Sequence, residues 1–150
     1  MKLTHLLTLL LFVSCSTTKP VSFHRTGEVE CVDKGRTSIS LIASGQAHTK
    51  DIAYEYAVRN AFENLLFKGI PDSNQEKPLV ANEHESLKMK SSFYDDLLIK
   101  REYQKFIMHS ELRNSSGKSG SYQSSVFLKI DLGALKVHLE QNDITRKFGL

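Results

Sequence analysis

From Ala53 to Leu65 every fourth residue is small or aliphatic: Ala53, Ala57, Ala61 and Leu65. Residues four apart stack on one face of an α-helix, so this spacing predicts a helix over Asp51–Lys68. Alanine projects a single carbon, and three in line let the helix lie close against a flat partner such as a β-sheet. Val58, Phe62 and Leu66 widen the apolar stripe. Thr49 is placed to cap the helix, and Asp51 puts negative charge in the first turn, where the helix dipole favours it. The opposite line, Asp51, Glu55, Arg59 and Glu63, is expected to face water, with Glu55 and Arg59 oriented as an i,i+4 ion pair. Gly69 suits the left-handed position after the last turn, Ile70 can fold back onto it, and Pro71 blocks continuation.

Around this helix the pattern changes to alternation. Glu28-Val29-Glu30-Cys31-Val32 reads as a half-buried strand and Asp33-Lys34-Gly35-Arg36 as a turn. Thr37–Ala47 follows, with Ile39, Leu41 and Ala43 on one face and Ser38, Ser40 and Ser44 on the other, which completes a β-hairpin. Asp72–Pro78 is a polar loop. Asn82–Ile99 reads as helical through Leu87, Phe93, Tyr94, Leu97 and Leu98, and its irregular middle, Lys88–Ser92, allows either one helix or two short ones. Glu102–Arg113 alternates as a strand, with Gln104, Phe106, Met108, Ser110 and Leu112 as its expected core face. Asn114–Ser121 is expected to be a flexible connection. Tyr122–Asp131 is a second strand with Val126, Leu128 and Ile130 inward, and Asp131 can cap a last helix, Leu132–Gln141, which buries Leu132, Leu135 and Leu139. The order is β-β-α-(α)-β-β-α, an α+β fold in which an antiparallel sheet carries helices packed on one face. The folded domain is expected over residues 27–143, with residues 144–150 as a C-terminal tail.

The first residues follow other rules. Lys2 supplies a positive flank, Leu6–Val13 is apolar, and Phe12-Val13-Ser14-Cys15 ends the segment with a small residue before a cysteine. A membrane span needs about 20 apolar residues, so this run is too short to cross a bilayer and suits the apolar core of a signal peptide. The last four positions are similar to the bacterial lipobox Leu-Ala-Gly-Cys, with Phe12 in place of the commoner leucine. The reading is a lipoprotein signal over residues 1–14, with Cys15 as the acylated first residue of the mature chain and residues 15–26 as a tether. An ordinary secretory signal with an incidental cysteine is the competing reading. Ser16 after the cysteine, by resemblance to Gram-negative lipoproteins, implies the outer membrane and a domain facing the periplasm.

Composition excludes several classes. The formal charge of +3 falls to +2 when Lys2 leaves with the signal, and there is no Trp and no basic-aromatic interleaving. That excludes nucleic acid as a partner. Acylation of Cys15 leaves Cys31 without an intramolecular partner, either buried in its strand as a small hydrophobe or bridging to another chain. His24, His48, His84, His109 and His138 are spread too widely for a metal site, and no Cys-x-x-Cys or His-Glu-x-x-His occurs. Gly117-Lys118-Ser119 lacks the upstream glycine of a phosphate loop and precedes a strand rather than a helix. Asp95 and Asp96 diverge on a helix, and Glu83 and Glu85 read as a solvated face. No nucleophile elbow accompanies a Ser/His/Asp set. The expectation is a protein that is not an enzyme and needs no cofactor.

The string Asn60-Ala61-Phe62-Glu63-Asn64-Leu65-Leu66-Phe67-Lys68-Gly69-Ile70-Pro71 is the most distinctive in the chain. With Thr49-Lys50-Asp51 before it and Pro78-Leu79-Val80 after it, it resembles a family of small Gram-negative envelope lipoproteins whose helix carries a motif like Arg-Asn-Ala-x-x-x-x-Leu-Phe-Lys-Gly-Ile-Pro. More distantly, the layout is similar to the α+β domains of penicillin-binding-protein-activator lipoproteins and of the N-terminal region of the flagellar assembly T protein. These resemblances imply fold and compartment rather than role. The expected function is a membrane-anchored periplasmic lipoprotein that binds an envelope protein in assembly or regulation, through an exposed strand edge or the Asp72–Leu79 loop. The alternative is a small-ligand or lipid-binding module.

Overall fold

The computed structural model describes residues 23–26, 28–118 and 120–145. The expected signal peptide, Cys15, the tether up to residue 22 and residues 146–150 lie outside the described residues. Among those described, four strands form one antiparallel sheet in the order β1-β2-β4-β3, with β1 at Val29–Lys34, β2 at Ser38–Ala47, β3 at Ile107–Lys118 and β4 at Ser121–Asp131. One face of this sheet carries the helices, as the α+β pattern requires. Ile39, Leu41 and Ala43 on β2 lie opposite Ile130, Leu128 and Val126 on β4, and all six are fully buried.

Helix α1 (Lys50–Phe67) crosses β2 and β4. Thr49 caps it by accepting the Ile52 N–H at 3.3 Å. Ala53, Ala57 and Ala61 are fully buried, and α1 comes so near the sheet that Gly45 of β2 has no room for a Cβ against the helix backbone. The stop after α1 is a built structure. Gly69 takes φ +83°, and the N–H groups of Lys68 and Gly69 both donate to the Asn64 carbonyl, at 2.9 and 2.7 Å. Ile70 is buried beneath the turn, and the chain returns so that Leu79 and Val80 donate to the Leu65 and Leu66 carbonyls. Helix α4 (Leu132–Gln141) starts where Asp131 accepts the Ala134 N–H at 2.8 Å, and it buries Leu132, Leu135 and Leu139.

The second helical stretch divides at Lys90 into α2 (Glu83–Met89) and α3 (Ser91–Tyr94), and a π-helical turn, Asp95–Ile99, continues α3. Tyr94, Leu97 and Leu98 are its buried anchors. This layer also changes the expected solvent line of α1. Glu63 is buried and accepts from Arg59 at 2.7 Å, while Glu55 leaves Arg59 and takes both guanidinium nitrogens of Arg101 at 2.6 Å.

The strand expected over Glu102–Arg113 starts five residues late. Arg101 adopts φ +65° and turns the chain into a 3-10 helix, Glu102–Phe106. Residues three apart eclipse in that geometry, so Tyr103 and Phe106 point together into the core, and Tyr103 stacks on Phe62 at 4.9 Å between ring centroids. A three-residue repeat thus lay beneath an apparent alternation. Of the expected core face only Phe106 is buried, because Gln104 falls in the 3-10 turn and β3 lies outside the cover of α1, which packs over β2 and β4. Gln104 and Ser110 are exposed, and so are Met108 at 58% and Leu112 at 49%. Asn114–Ser121 is largely paired strand rather than a flexible connection: β3 continues to Lys118, and Gly120 at φ +90° sits in the turn to β4.

Candidate binding surface

Phe23–Thr26, read from the sequence as the end of the tether, lies along α1. The Phe23 ring meets Tyr56 edge-on at 5.2 Å, and the Arg59 guanidinium stacks over it at 4.0 Å. Arg25 donates to Glu63 at 3.1 Å and forks onto both oxygens of Glu83 at 3.0 and 2.6 Å. Those two carboxylates, the Glu83 hydrogen bonds foremost, hold the Arg25 guanidinium charged beyond its ordinary range. Asn60 completes the strap: it accepts the Thr26 N–H at 3.2 Å and donates to the Ser44 carbonyl at 3.0 Å. Asn60 is 1% exposed, so removing its amide takes the partner from these part-buried groups. Asn60→Leu is expected to cost about 1–3 kcal/mol of stability. Hydrogen exchange will show it directly as lost protection of the Thr26 amide, with the mid-strand amides of β4 still protected.

One of the two sheet edges, β1, lies beside the Asp72–Leu79 loop at one end of α1. The Asp72–Leu79 loop is held at both ends. Ser73 donates to the Ile70 carbonyl at 2.7 Å, Ile70 donates to the Gln75 carbonyl at 2.8 Å, and Asn74 reaches the Gly35 carbonyl in the β1–β2 turn at 2.7 Å. Ser73 and Leu79 are buried, whereas Pro71, Asp72, Asn74, Glu76 and Lys77 are exposed. Beside the loop, a recess of about 200 Å³ is lined by Val29, Asn64, Lys68, Gly69, Pro71 and Glu76. Its rim is β1, an edge of the sheet, where Val32 is 53% exposed next to a register shift between Cys31 and Asp33. Cys31 is half-buried at this edge as a free thiol, with its Sγ 3.7 Å from the Asp33 carbonyl. Burial, aided by Asp33 and Asp72, pushes the thiol up, so it stays protonated and is a poor nucleophile.

Two further recesses flank α1. One of about 220 Å³ lies between the strap and the α2–α3 layer, against Phe67, Leu87 and Tyr94. The other, about 270 Å³, lies between Tyr54, Val58, Tyr103 and Ile107 on the β3 side. The first is also lined by Arg25, Arg59, Glu63 and Asp95, and its Glu63 is held by both arginines. Tyr94 and Tyr103 are pushed up chiefly by burial. His138 lies between the Phe93 and Phe106 rings, and burial, then Lys105, pulls it down.

The remaining singled-out residues are dispersed. His24, His84 and His109 are exposed and His48 is half-buried. Glu83 is taken by Arg25, Glu85 shares the Asn82 cap, and Asp96 pairs with Lys100 at 2.6 Å. No group of three or more His, Cys, Asp or Glu among the described residues is arranged to hold a metal ion. What sequence reasoning missed is the strap. Phe23, Arg25 and Thr26 carry no periodicity, and Glu63, one of the partners of Arg25, sits on a helix line that reads as solvated. No protein family, curated protein or solved structure matches the chain.

Proposed function

We propose that this chain is a lipid-anchored periplasmic module, held at the outer membrane through Cys15, that binds an envelope protein along the β1 edge and the Asp72–Leu79 loop. The observation that carries the reading is the coincidence of a sheet edge, a pinned loop and a recess lined by both apolar and polar residues at one end of α1. An edge strand offers unpaired backbone groups to an incoming strand, and a recess beside it gives specificity to alternate side chains. The loop is pinned before any partner arrives, so little ordering entropy is lost on binding. Because Phe23 packs on α1, the proposed tether between Cys15 and the domain is Ser16–Ser22, which can span at most about 23 Å at roughly 3.3 Å per residue. That reach favours a partner close to the membrane over one deep in the cell wall.

The ligand-binding alternative has less support. The recesses of about 200, 220 and 270 Å³ are below the roughly 300–1,000 Å³ of small-molecule sites. The test is photo-crosslinking in intact envelopes, with the reactive residue at Val32, at Glu76 or, as a distant control, at Lys118, followed by affinity purification. The expected result is one envelope protein captured from both Val32 and Glu76 but not from Lys118, in lower yield when Cys15→Ala removes the anchor. No envelope protein shared by the Val32 and Glu76 positions contradicts the reading.

A further inference from the structure

We propose that the β3 edge is the docking surface for a second copy of this chain, paired antiparallel about a two-fold axis through Leu112. The strand is long and exposed from Met108 through Asn114, and it forms the edge of the sheet opposite β1. Edges of this kind are usually blunted by bulges, and β3 has two register shifts, at Ile107/His109 and at Leu112/Asn114. From His109 to Leu112 the strand alternates, and Arg113, left without a partner on β4 by the second shift, stays on the open face. His109 and Arg113 both approach the Phe127 ring on the open face, at 6.1 and 5.1 Å, and Glu111 lies opposite Phe127 on that same face. Ser110 and Leu112 lie on the helix side, opposite Leu128 and Val126.

The charges choose the occupant. Glu111 and Arg113 flank Leu112 on one face, 3.6 Å apart within the chain and both about half exposed. An antiparallel copy centred on Leu112 sets each Glu111 against Arg113 of the second copy, in two reciprocal pairs, and sets the exposed Leu112 against itself. Neighbouring registers do worse. Centring on Glu111 or on Arg113 puts like charges face to face, and centring on Ser110 sets Glu111 against His109 and Leu112 against Met108 but leaves Arg113 opposite Ile107 with no acidic partner. Like charges directly opposite across strands are destabilising, so the same two residues select the register and reject its neighbours. The axis lies perpendicular to the sheet, so the helices of both copies fall on one side of a continuous eight-stranded sheet. Phe23 of each copy then sits at the same height along the axis, and both chains can enter one membrane. This pairing leaves β1 free and does not depend on the function proposed above.

Disulfide trapping tests the pairing. In the full chain in detergent, with Cys15→Ser and Cys31→Ser so that the introduced thiol stands alone, Leu112→Cys faces itself across the axis. Directly opposite Cβ atoms are about 4.5–5.5 Å apart, within a small adjustment of disulfide geometry. Mild oxidation is expected to give a disulfide-linked dimer on a non-reducing gel. Adding Glu111→Arg or Arg113→Glu should each cut its yield about tenfold. Mixing the two charge-reversed proteins, or combining both reversals in one chain, should restore it, a recovery that misfolded variants cannot give. A chain that stays monomeric, a yield indifferent to charge reversal, or no recovery on mixing overturns the proposal.

Discussion

Gly45→Val is expected to abolish the folded state. Gly45 lies on the helix side of β2, opposite Ser124, where α1 crosses the sheet. A Cβ there would stand 2.2 Å from the Ala57 nitrogen and 2.5 Å from the Ala53 carbonyl oxygen. Both atoms belong to the α1 backbone, so no side-chain rotation relieves the clash and the whole helix must lift. Lifting it also separates the buried layer of Ala53, Ala57, Phe62 and Leu65 from Leu41 and Leu128. Overpacking a well-filled core costs about 1–3 kcal/mol, and more where backbone must move. Gly45→Ala is therefore expected to cost about 3 kcal/mol, and the two extra methyl groups of valine take the loss into the range of a domain's whole stability, about 5–15 kcal/mol. Gly120→Ala is the control. Gly120 has φ +90° but nothing within 4 Å of its missing Cβ, so only the backbone term applies, about 1 kcal/mol. Thermal unfolding followed by circular dichroism ranks the variants, and equal losses at Gly45 and Gly120 would contradict the close-packed crossing.

Cys15→Ala is expected to transfer essentially all of the chain from the membrane fraction to the soluble fraction. One acyl chain gives only marginal attachment, whereas two or more make it stable, so the effect of losing every lipid is close to all-or-none. None of the described helices is long and apolar enough to cross a membrane. The strap keeps the consequence local. Among the described residues packing against α1 starts at Phe23, so the unfolding free energy should change by no more than the roughly 0.5 kcal/mol typical of surface changes. Fractionation of cells expressing each form, read by immunoblot, checks this. A variant that still pellets with membranes would show that something other than the cysteine holds the chain.

Elements governed by local rules were legible in the sequence. The Thr49 cap, the Gly69 stop, the inward set Val126, Leu128 and Ile130 and the Asp131 cap follow from spacing and residue type alone, and each has its expected place. Alanines at every fourth position implied a close helix–sheet contact, and Gly45 is the place where it is closest. What could not be read is set by tertiary contact. Glu63 looks like a solvent residue until Arg25 and Arg59 converge on it. Tyr103 and Phe106 fit both a strand and a 3-10 turn, and the left-handed Arg101 decides between them. The alternation of β3 is genuine, but which strand a helix covers depends on sheet order, and β3 is an edge. Of the candidate surface, the loop and the existence of a strand edge were legible. The joining of β1 to the loop through the recess at Gly69 was not, because it needs the β1–β2 hairpin placed beside the end of α1.

The proposed compartment and the proposed reach both rest on acylation of Cys15. The most direct test is the intact mass of the mature protein purified from cells, with fragmentation of its N-terminal peptide. The account predicts a chain that begins at Cys15 and carries diacylglycerol on the thiol and a third acyl chain on the new amine. A mature chain that begins elsewhere, or an unmodified Cys15, would contradict it.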